Sequence, residues 1–337
     1  MSSERTTLVG TPLVVAPGKV FLVGEYAVLE EGIAVLAAVS RHAVGQYIPG
    51  LAPFTPLVAE SVRRAKAELG DAAAALPQGS VLVNTDAFHQ DDQKLGFGSS
   101  AAAAVVSVGA VFESAGLSIE TRKPQILAIA DAAHRASQGG MGSGADVAAA
   151  VHGGLIQVLR LPGRPPEVTP LQPPQGLHLV VFWTGASASS KDMMEGVARF
   201  AKKDSLAYLH IMDNLREIAL RFSQELQAGR ATGAVAAAGR YGKQLAVLGA
   251  AAGIPIVTEA FTRAAEVAKE LGGIAKPSGA GGGDIGVAMF ATPEAARLFA
   301  RACQRPLSAL DLDLDRKGVR LSRGNTDESE NSGLFHV

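Results

Sequence analysis

A single cysteine, Cys303, is present in 337 residues, so no intrachain disulfide can form and a reducing compartment is the natural reading. A surplus of charge of one sign is lacking too. Lys and Arg number 31 against 32 Asp and Glu, a formal net charge of −1, which removes the electrostatic footing for a nucleic-acid or membrane-surface binder. No apolar run approaches a membrane span, because the Ala-rich stretches are broken by Gly, Ser and charge. Residues 1 to 11 are polar and lack the apolar core of a signal peptide. A cytoplasmic protein is therefore expected, and no internal repeat is visible.

What the chain does have is length, apolar content and clustered glycine. Its 337 residues at 47% hydrophobic content suffice for two domains with sizeable cores. Glycine collects in three runs. The first, Lys94-Leu95-Gly96-Phe97-Gly98-Ser99-Ser100, opens into Ala101-Ala102-Ala103-Ala104-Val105-Val106, and the Ala/Val pattern predicts a helix continuing to about Glu113. Its first turn, Gly98 to Ala102, offers free backbone N–H groups and the positive end of a helix dipole to a phosphate. Of the two serine hydroxyls there, one can cap the helix while the other binds a phosphate oxygen or Mg²⁺. Alone, the stretch reads equally as an ordinary Gly/Ser helix start. It has neither the Gly-Lys-Ser/Thr ending of a Walker A loop nor the GxGxxG spacing, so neither mechanism carries over.

A second run, Lys276-Pro277-Ser278-Gly279-Ala280-Gly281-Gly282-Gly283-Asp284, lets a chain pass beside a ligand and leads into a strand-like Ile285 to Phe290. Two such loops suggest one anionic ligand held from both sides. A third run, Gln138 to Asp146, follows a helix expected from Pro124 to about Ser137 and precedes a short small-residue helix, Val147 to Val151. It carries the carboxylate of Asp146, which by itself reads as an N-cap.

Residues 13 to 48 alternate short apolar runs with Gly and charged breaks, predicting strands joined by tight turns, with Ala16-Pro17-Gly18-Lys19 as a bend between the first two. A lysine at such a bend can project into a site, although a solvated surface lysine is the commoner case. A helix is expected over 57–70, a strand over 81–84, and a strand over 177–182 that ends in Trp183-Thr184-Gly185 before Ser187, Ser189, Ser190 and Lys191. Helical pattern then dominates to about Leu271, broken at Gly229, Gly253 and Pro255. A helix from Pro293 to about Gln304 and a strand-like piece over 318–321 follow, and residues 323–337 read as a disordered polar tail. Strands followed by runs of helices, without strict alternation, predict an α+β fold. Beyond a Pro-rich connector near residue 163, the expected domains are 1–176 and 177–322.

Three motifs together carry a family resemblance over nearly the whole chain. Pro17-Gly18-Lys19-Val20, Gly96-Phe97-Gly98-Ser99-Ser100-Ala101 and Ser278-Gly279-Ala280-Gly281-Gly282-Gly283 resemble, in order and separation, the signatures of the GHMP small-molecule kinases. The resemblance implies a two-domain GHMP kinase fold: an N-terminal domain of the ribosomal S5 type, a C-terminal α+β domain, and ATP in the cleft between them. Within the family the chain is similar to the phosphomevalonate kinase branch. Gly24-Glu25-Tyr26-Ala27-Val28-Leu29 looks like its GEYAVL segment, where mevalonate kinases usually read GEH. Ala133-His134-Arg135-Ala136-Ser137-Gln138-Gly139, followed by Gly142-Ser143-Gly144-Ala145-Asp146-Val147-Ala148, resembles its A-H-x-x-A-Q-G and G-S-G-x-D-V-A pattern. Mevalonate kinases tend to carry a metal-binding glutamate where Arg135 stands here. Trp183-Thr184-Gly185 with Ser187, Ser189 and Ser190, and Asp284 directly after the triple glycine, point to the same branch.

That resemblance implies ATP- and Mg²⁺-dependent phosphorylation of phosphomevalonate by a monomer or homodimer. A kinase acting on an alcohol such as mevalonate is the alternative, and a non-catalytic ligand-binding member of the fold is a third reading. Lys19 would sit beside the transferring phosphoryl group, and Asp146 would orient or deprotonate the acceptor. A phosphate monoester is already ionised near neutral pH, so a strong base is needed less than for an alcohol, and a positioning role for Asp146 stands equally. Lys94, Gly96, Gly98, Ser99, Ser100 and Ala101 would hold ATP, with Ser100 also on Mg²⁺. Ser143, Gly144, Ser187, Ser190, Lys191, Ser278, Gly279, Ala280, Gly281 and Gly282 would surround the substrate. His134 and Gln138 stand between packing and catalysis, and Asp284 is expected to fix its loop by accepting backbone N–H bonds.

Overall fold

The computed structural model describes residues 12–90, 93–140, 142–322 and 334–335. The chain begins with β1 (Val14–Val23), β2 (Ile33–Pro49), α1 (Pro56–Leu69), α2 (Asp71–Ala74), β3 (Gly79–Asn84) and a small hairpin of β4 (His89–Gln90) and β5 (Gln93–Lys94). Next come α3 (Ser99–Ser114), α4 (Lys123–Ser137), α5 (Ala145–His152), β6 (Leu155–Leu159), β7 (Glu167–Leu171) and β8 (His178–Trp183). The remainder is α6 (Ser190–Lys203), α7 (Ser205–Gln227), α8 (Ala231–Ala252), α9 (Glu259–Glu270), β9 (Ile274–Pro277), β10 (Ile285–Phe290), α10 (Pro293–Ala302), β11 (Ser308–Leu310) and β12 (Arg320–Leu321).

Six strands form one antiparallel sheet in the order β12-β1-β2-β6-β7, with β3 also paired to β2, and four form a second in the order β11-β8-β10-β9. The architecture is α+β, as the sequence pattern predicts. The second sheet is drawn from β8 onward. The first comes from the chain before it, except β12, which returns to pair Leu321 with Val14 and Arg320 with Val15 of β1.

Local sequence explains where the helices start and stop. Thr55, Ser189, Asp204 and Thr292 cap α1, α6, α7 and α10 by accepting a backbone N–H from the first turn, with Pro56 and Pro293 at the start of α1 and α10. Gly253 closes α8 in the left-handed region. From Ala101 to Phe112, α3 is buried on every face. Its Ala, Val and Gly side chains let it lie against β1 and β2 while α1, α4 and α5 pack around it. The apolar cluster built on this helix continues into α7 and α8 around Leu215, Phe222 and Tyr241. A smaller cluster fills the space between the second sheet, α9 and α10, where Phe182 and Phe299 meet edge to face at 5.7 Å. Among the described residues no helix is long and apolar enough to cross a membrane.

Three features depart from the sequence reading. Pro17-Gly18-Lys19 is not a bend between two strands: β1 runs through it, its register with β2 slipping at Pro17/Gly18, a bulge that accommodates a residue with no N–H to donate. β2 extends well past the apolar run that marks it in sequence, over 17 residues, because β1, β3 and β6 pair with it along its length. Of the tail expected to be disordered, residues 323–333 and 336–337 lie outside the described residues. Leu334 and Phe335 are buried, and the Leu334 carbonyl accepts the Leu179 N–H at 2.6 Å.

Candidate active site

A cavity of about 480 Å³ is lined from both halves of the chain: β1, the segments leading into α3, α5 and α6, and the loop between β9 and β10. Three helix N-termini reach it, through Gly98 and Ser100 of α3, Gly144 and Asp146 of α5, and Ser189, Ser190 and Lys191 of α6. Each brings unpaired backbone N–H groups and a positive dipole end. Their convergence makes the cavity a site for anions.

Lys19 owes its position to the residue before it. A Cβ on Gly18 would lie 2.9 Å from Phe88 Cε1 and 3.0 Å from the Phe97 carbonyl oxygen, so only glycine lets the loop before α3 close on β1. The Lys19 N–H then donates to the Phe97 carbonyl at 2.9 Å. Its side chain is buried over the Phe21 ring, 5.3 Å from the centroid, and its ammonium donates to the Gly96 carbonyl at 3.1 Å. Gly98, at φ +82°, abuts this side chain: its Cβ position is 3.1 Å from Lys19 Cε and 3.6 Å from Asp146 Cβ. Lys19, the first turn of α3 and Asp146 thus meet at one point.

Asp146 is not the cap of α5. Gly144 takes that position in the left-handed region at φ 73°, Asp146 is the second helical residue, and the Ser143 hydroxyl accepts the Ala145 N–H at 3.3 Å. With the cap supplied by glycine, the carboxylate is left on the cavity wall. On α3, Ser100 faces the cavity while Ser99 and Ala101 are packed into the first turn. Ser100 Oγ is 3.0 Å from His134 Nε2 of α4, and Gln138 Nε2 is 3.2 Å from the same nitrogen. Burial pushes the His134 pKa down against the carboxylates of Asp146 and Asp131, with Lys94 adding to the downward push, so the ring is neutral at neutral pH.

Lys94, Gly96, Ser187, Ser190 and Lys191 line the cavity, and the Ser187 hydroxyl donates to the Lys94 carbonyl at 3.2 Å. Lys191 is largely solvated and 3.8 Å from Glu195. Ser143 lines the wall with them. The third glycine run divides. Gly279, Ala280 and Asp284 reach the cavity, whereas Ser278 lies behind it, its hydroxyl accepting the Phe21 N–H at 2.8 Å. Gly281 packs on Ile256, and the Gly282 N–H donates to the Ile256 carbonyl at 3.0 Å. Asp284 accepts the Ala188 N–H at 3.2 Å, the loop-fixing role expected of it. Burial pushes its pKa up, opposed by that amide and by Lys19 and Lys94.

Glu25, Tyr26 and Lys276, visible in the sequence only as motif members, fasten this loop to the first half of the chain. Lys276 pairs with Glu25 in full burial, the Tyr26 hydroxyl donates to the Ala280 carbonyl at 2.6 Å, and the Tyr241 hydroxyl donates to the Glu25 carbonyl at 2.6 Å. Tyr26 holds φ 64°, an unfavourable conformation for an aromatic residue that its surroundings must enforce. A glutamate and a lysine flanked by apolar and small residues are the signal that could have flagged the pair.

Among the described residues no cluster of three or more His, Cys, Asp or Glu side chains forms a metal cage. The donors that do share the cavity wall, the Ser100 hydroxyl and the Asp146 carboxylate, are hard oxygens. Such a sparse oxygen set, completed by phosphate and water, suits Mg²⁺ and not Zn²⁺.

Residues 58–154 match the GHMP kinases N terminal domain. The chain is 30% identical to the phosphomevalonate kinase of Streptomyces sp. (strain CL190), over 86% of this chain and 92% of that one. Its fold is similar to that of the Lin0012 protein from Listeria innocua, with a TM-score of 0.84 at 25% identity over 94% of this chain and 100% of that one. It is also similar to Streptococcus pneumoniae phosphomevalonate kinase in complex with phosphomevalonate and AMPPNP, with a TM-score of 0.75 at 19% identity over 90% of this chain and 99% of that one. The chain belongs to the GHMP kinase family.

Proposed function

We propose that this protein transfers the terminal phosphoryl group of ATP to the phosphate of phosphomevalonate, giving ADP and diphosphomevalonate. The observation that carries the reading is the convergence of three helix N-termini and the Lys19 ammonium on one cavity. Phosphoryl transfer asks a protein chiefly to position its reactants and to stabilise charge on the oxygens in flight, and amide dipoles with a buried lysine supply both.

The acceptor is read from the likeness to the Streptomyces enzyme and from the charge on the wall. Two of the wall carboxylates serve the protein itself, Glu25 on Lys276 and Asp284 on the Ala188 amide. Lys19, Lys94, Lys191 and the α6 N-terminus face the cavity, a cationic lining suited to two phosphate-bearing reactants. In the step itself an oxygen of the acceptor phosphate forms a bond to the γ-phosphorus, the bond from that phosphorus to the β–γ bridging oxygen breaks, and ADP leaves with the electron pair. Lys19 donates to the oxygens of the group in transfer, while Asp146 positions the acceptor, which arrives ionised and needs little help from a base. Gly96, Gly98 and the first turn of α3 hold the ATP phosphates. Mg²⁺, when bound through Ser100 and Asp146, would offset the negative charge of the phosphates.

The test is ADP release by the purified protein with phosphomevalonate, mevalonate, galactose or homoserine. Turnover on phosphomevalonate is expected. Turnover on mevalonate alone would replace the reading with an alcohol kinase, and ATP binding without ADP release on any acceptor would replace it with a binding protein.

A further inference from the structure

A serine hydroxyl can serve a phosphate site in two opposite ways. It can donate its proton to a phosphate oxygen, or it can turn its lone pairs toward a cation. For Ser100 the neighbouring side chains decide between them. Its Oγ lies 3.0 Å from His134 Nε2, and Gln138 Nε2 lies 3.2 Å from that same ring nitrogen. With the Gln138 carboxamide nitrogen turned to the ring it can only donate, so this arrangement calls for a lone pair on His134 Nε2 and the imidazole proton on Nδ1. The other end of the Gln138 amide is turned toward Gly142, where Oε1 would lie 3.0 Å from an added Cβ. With Nε2 as a shared acceptor, the Ser100 proton is drawn toward His134 and away from the cavity. Both lone pairs of Oγ are then left for a ligand in the cavity that Ser100 lines.

The ring is held firmly enough to impose this choice. His134 is 5% exposed, sits on α4 against α3, and keeps an edge on the cavity beside Ser100 and Gln138. We infer that His134 is a positioning residue that fixes Ser100 as a ligand for a divalent cation rather than a donor to phosphate, with Gln138 setting the ring tautomer. The inference rests on the kinase reading above and deepens it. It assigns a use to two side chains, His134 and Gln138, that transfer chemistry at Lys19 and Asp146 leaves without one. Outer-shell partners of this kind orient the ligand atom and raise its basicity.

The test is Mn²⁺ binding in the presence of ADP, followed by the electron paramagnetic resonance of the free ion, for the wild-type protein, H134F, S100A and the S100A/H134F double variant. H134F is expected to weaken Mn²⁺ binding about 10- to 100-fold, the range for loss of an outer-shell partner, while metal-free ADP binds as before. In the S100A background H134F should add no further loss. Equal Mn²⁺ affinity in H134F and wild type, or a loss of the same size with and without Ser100, would overturn the role of His134. Because H134F replaces a buried side chain, the wild-type protein supplies a second measurement. ¹⁵N resonances of its labelled histidines, assigned through the backbone at neutral pH, should show His134 protonated on Nδ1 and bare on Nε2. A proton on Nε2 overturns the inference. A wild-type protein that binds no ADP would overturn the kinase reading itself, an outcome distinct from equal Mn²⁺–ADP binding by wild type and H134F.

Discussion

Lys276 Nζ lies 2.5 Å from Glu25 Oε1, with the two side chains 0% and 2% exposed. This buried ion pair joins β9 of the second sheet to the turn after β1 of the first, where Glu25 forms part of the cavity wall. The ammonium also donates to the Pro277 carbonyl at 2.7 Å and faces the Tyr241 ring. Burial pushes the lysine pKa down, and Glu25 opposes that push. Two charges taken out of water repay their desolvation only while both are present.

Lys276→Met should therefore destabilise the fold by about 3–5 kcal/mol, because it strands the Glu25 carboxylate in the interior. The Glu25→Gln/Lys276→Met double variant should recover a large part of that loss. Urea denaturation of the three proteins checks both statements, and a single variant as stable as wild type would contradict them.

Lys19→Met keeps an apolar stem over Phe21 and removes the charge. Turnover should fall about 10²- to 10³-fold, the usual effect of removing one preorganised donor to a developing charge, while far-ultraviolet circular dichroism stays unchanged. Steady-state kinetics decides, and an unaltered rate would take Lys19 out of the mechanism.

Gly98→Ala acts on the same point from the backbone. Its φ of +82° is strained for alanine, and its Cβ would press on Lys19 Cε at 3.1 Å. A stability loss of about 1–2 kcal/mol is expected from the left-handed conformation, with a fall in turnover greater than that loss alone would cause. Urea denaturation and kinetics on one preparation separate the two effects.

Asp315 anchors the approach to β12. It accepts from His42 at 2.6 Å, from the Arg320 guanidinium at 2.9 Å and from the Gly318 amide at 2.8 Å. Burial alone would raise its pKa, but the His42 hydrogen bond, Arg320 and the Gly318 amide outweigh that and hold it at about 2. The folded value is below the ordinary one of about 3.9. The stability it confers is thus fully present above about pH 4 and is lost as pH falls toward 2, in all about 2–3 kcal/mol. The stability gap between wild type and Asp315→Asn should narrow over that window. A gap that stays constant from pH 5 to about pH 2 would contradict the assignment.

How much of this could be read from sequence follows the range of the forces involved. The first turn of α3 and the cap by Ser189 rest on residues a few positions apart, so their chemistry shows in the motif. The bulge at Pro17 does not show, because only pairing with β2 reveals that the strand continues. Asp146 reads as a cap until the backbone of Gly144 is seen to supply one. Ser278 reads as a substrate donor, yet its hydroxyl meets the Phe21 amide, 257 positions away in the chain. Glu25 and Lys276, separated by 251 positions, look like two unrelated charges until the two sheets come together. The docking of Leu334 and Phe335 rests on two side chains in an otherwise polar tail, too little apolar content for composition to reveal.

In the proposed reaction the group leaving ATP lands on a phosphate. Phosphorus NMR of the wild-type protein with ATP, Mg²⁺ and phosphomevalonate tests it most directly. The monoester signal should decay as the two coupled resonances of a diphosphate ester grow in step with ADP. A persisting monoester signal, with ATP either intact or hydrolysed to inorganic phosphate, would contradict it.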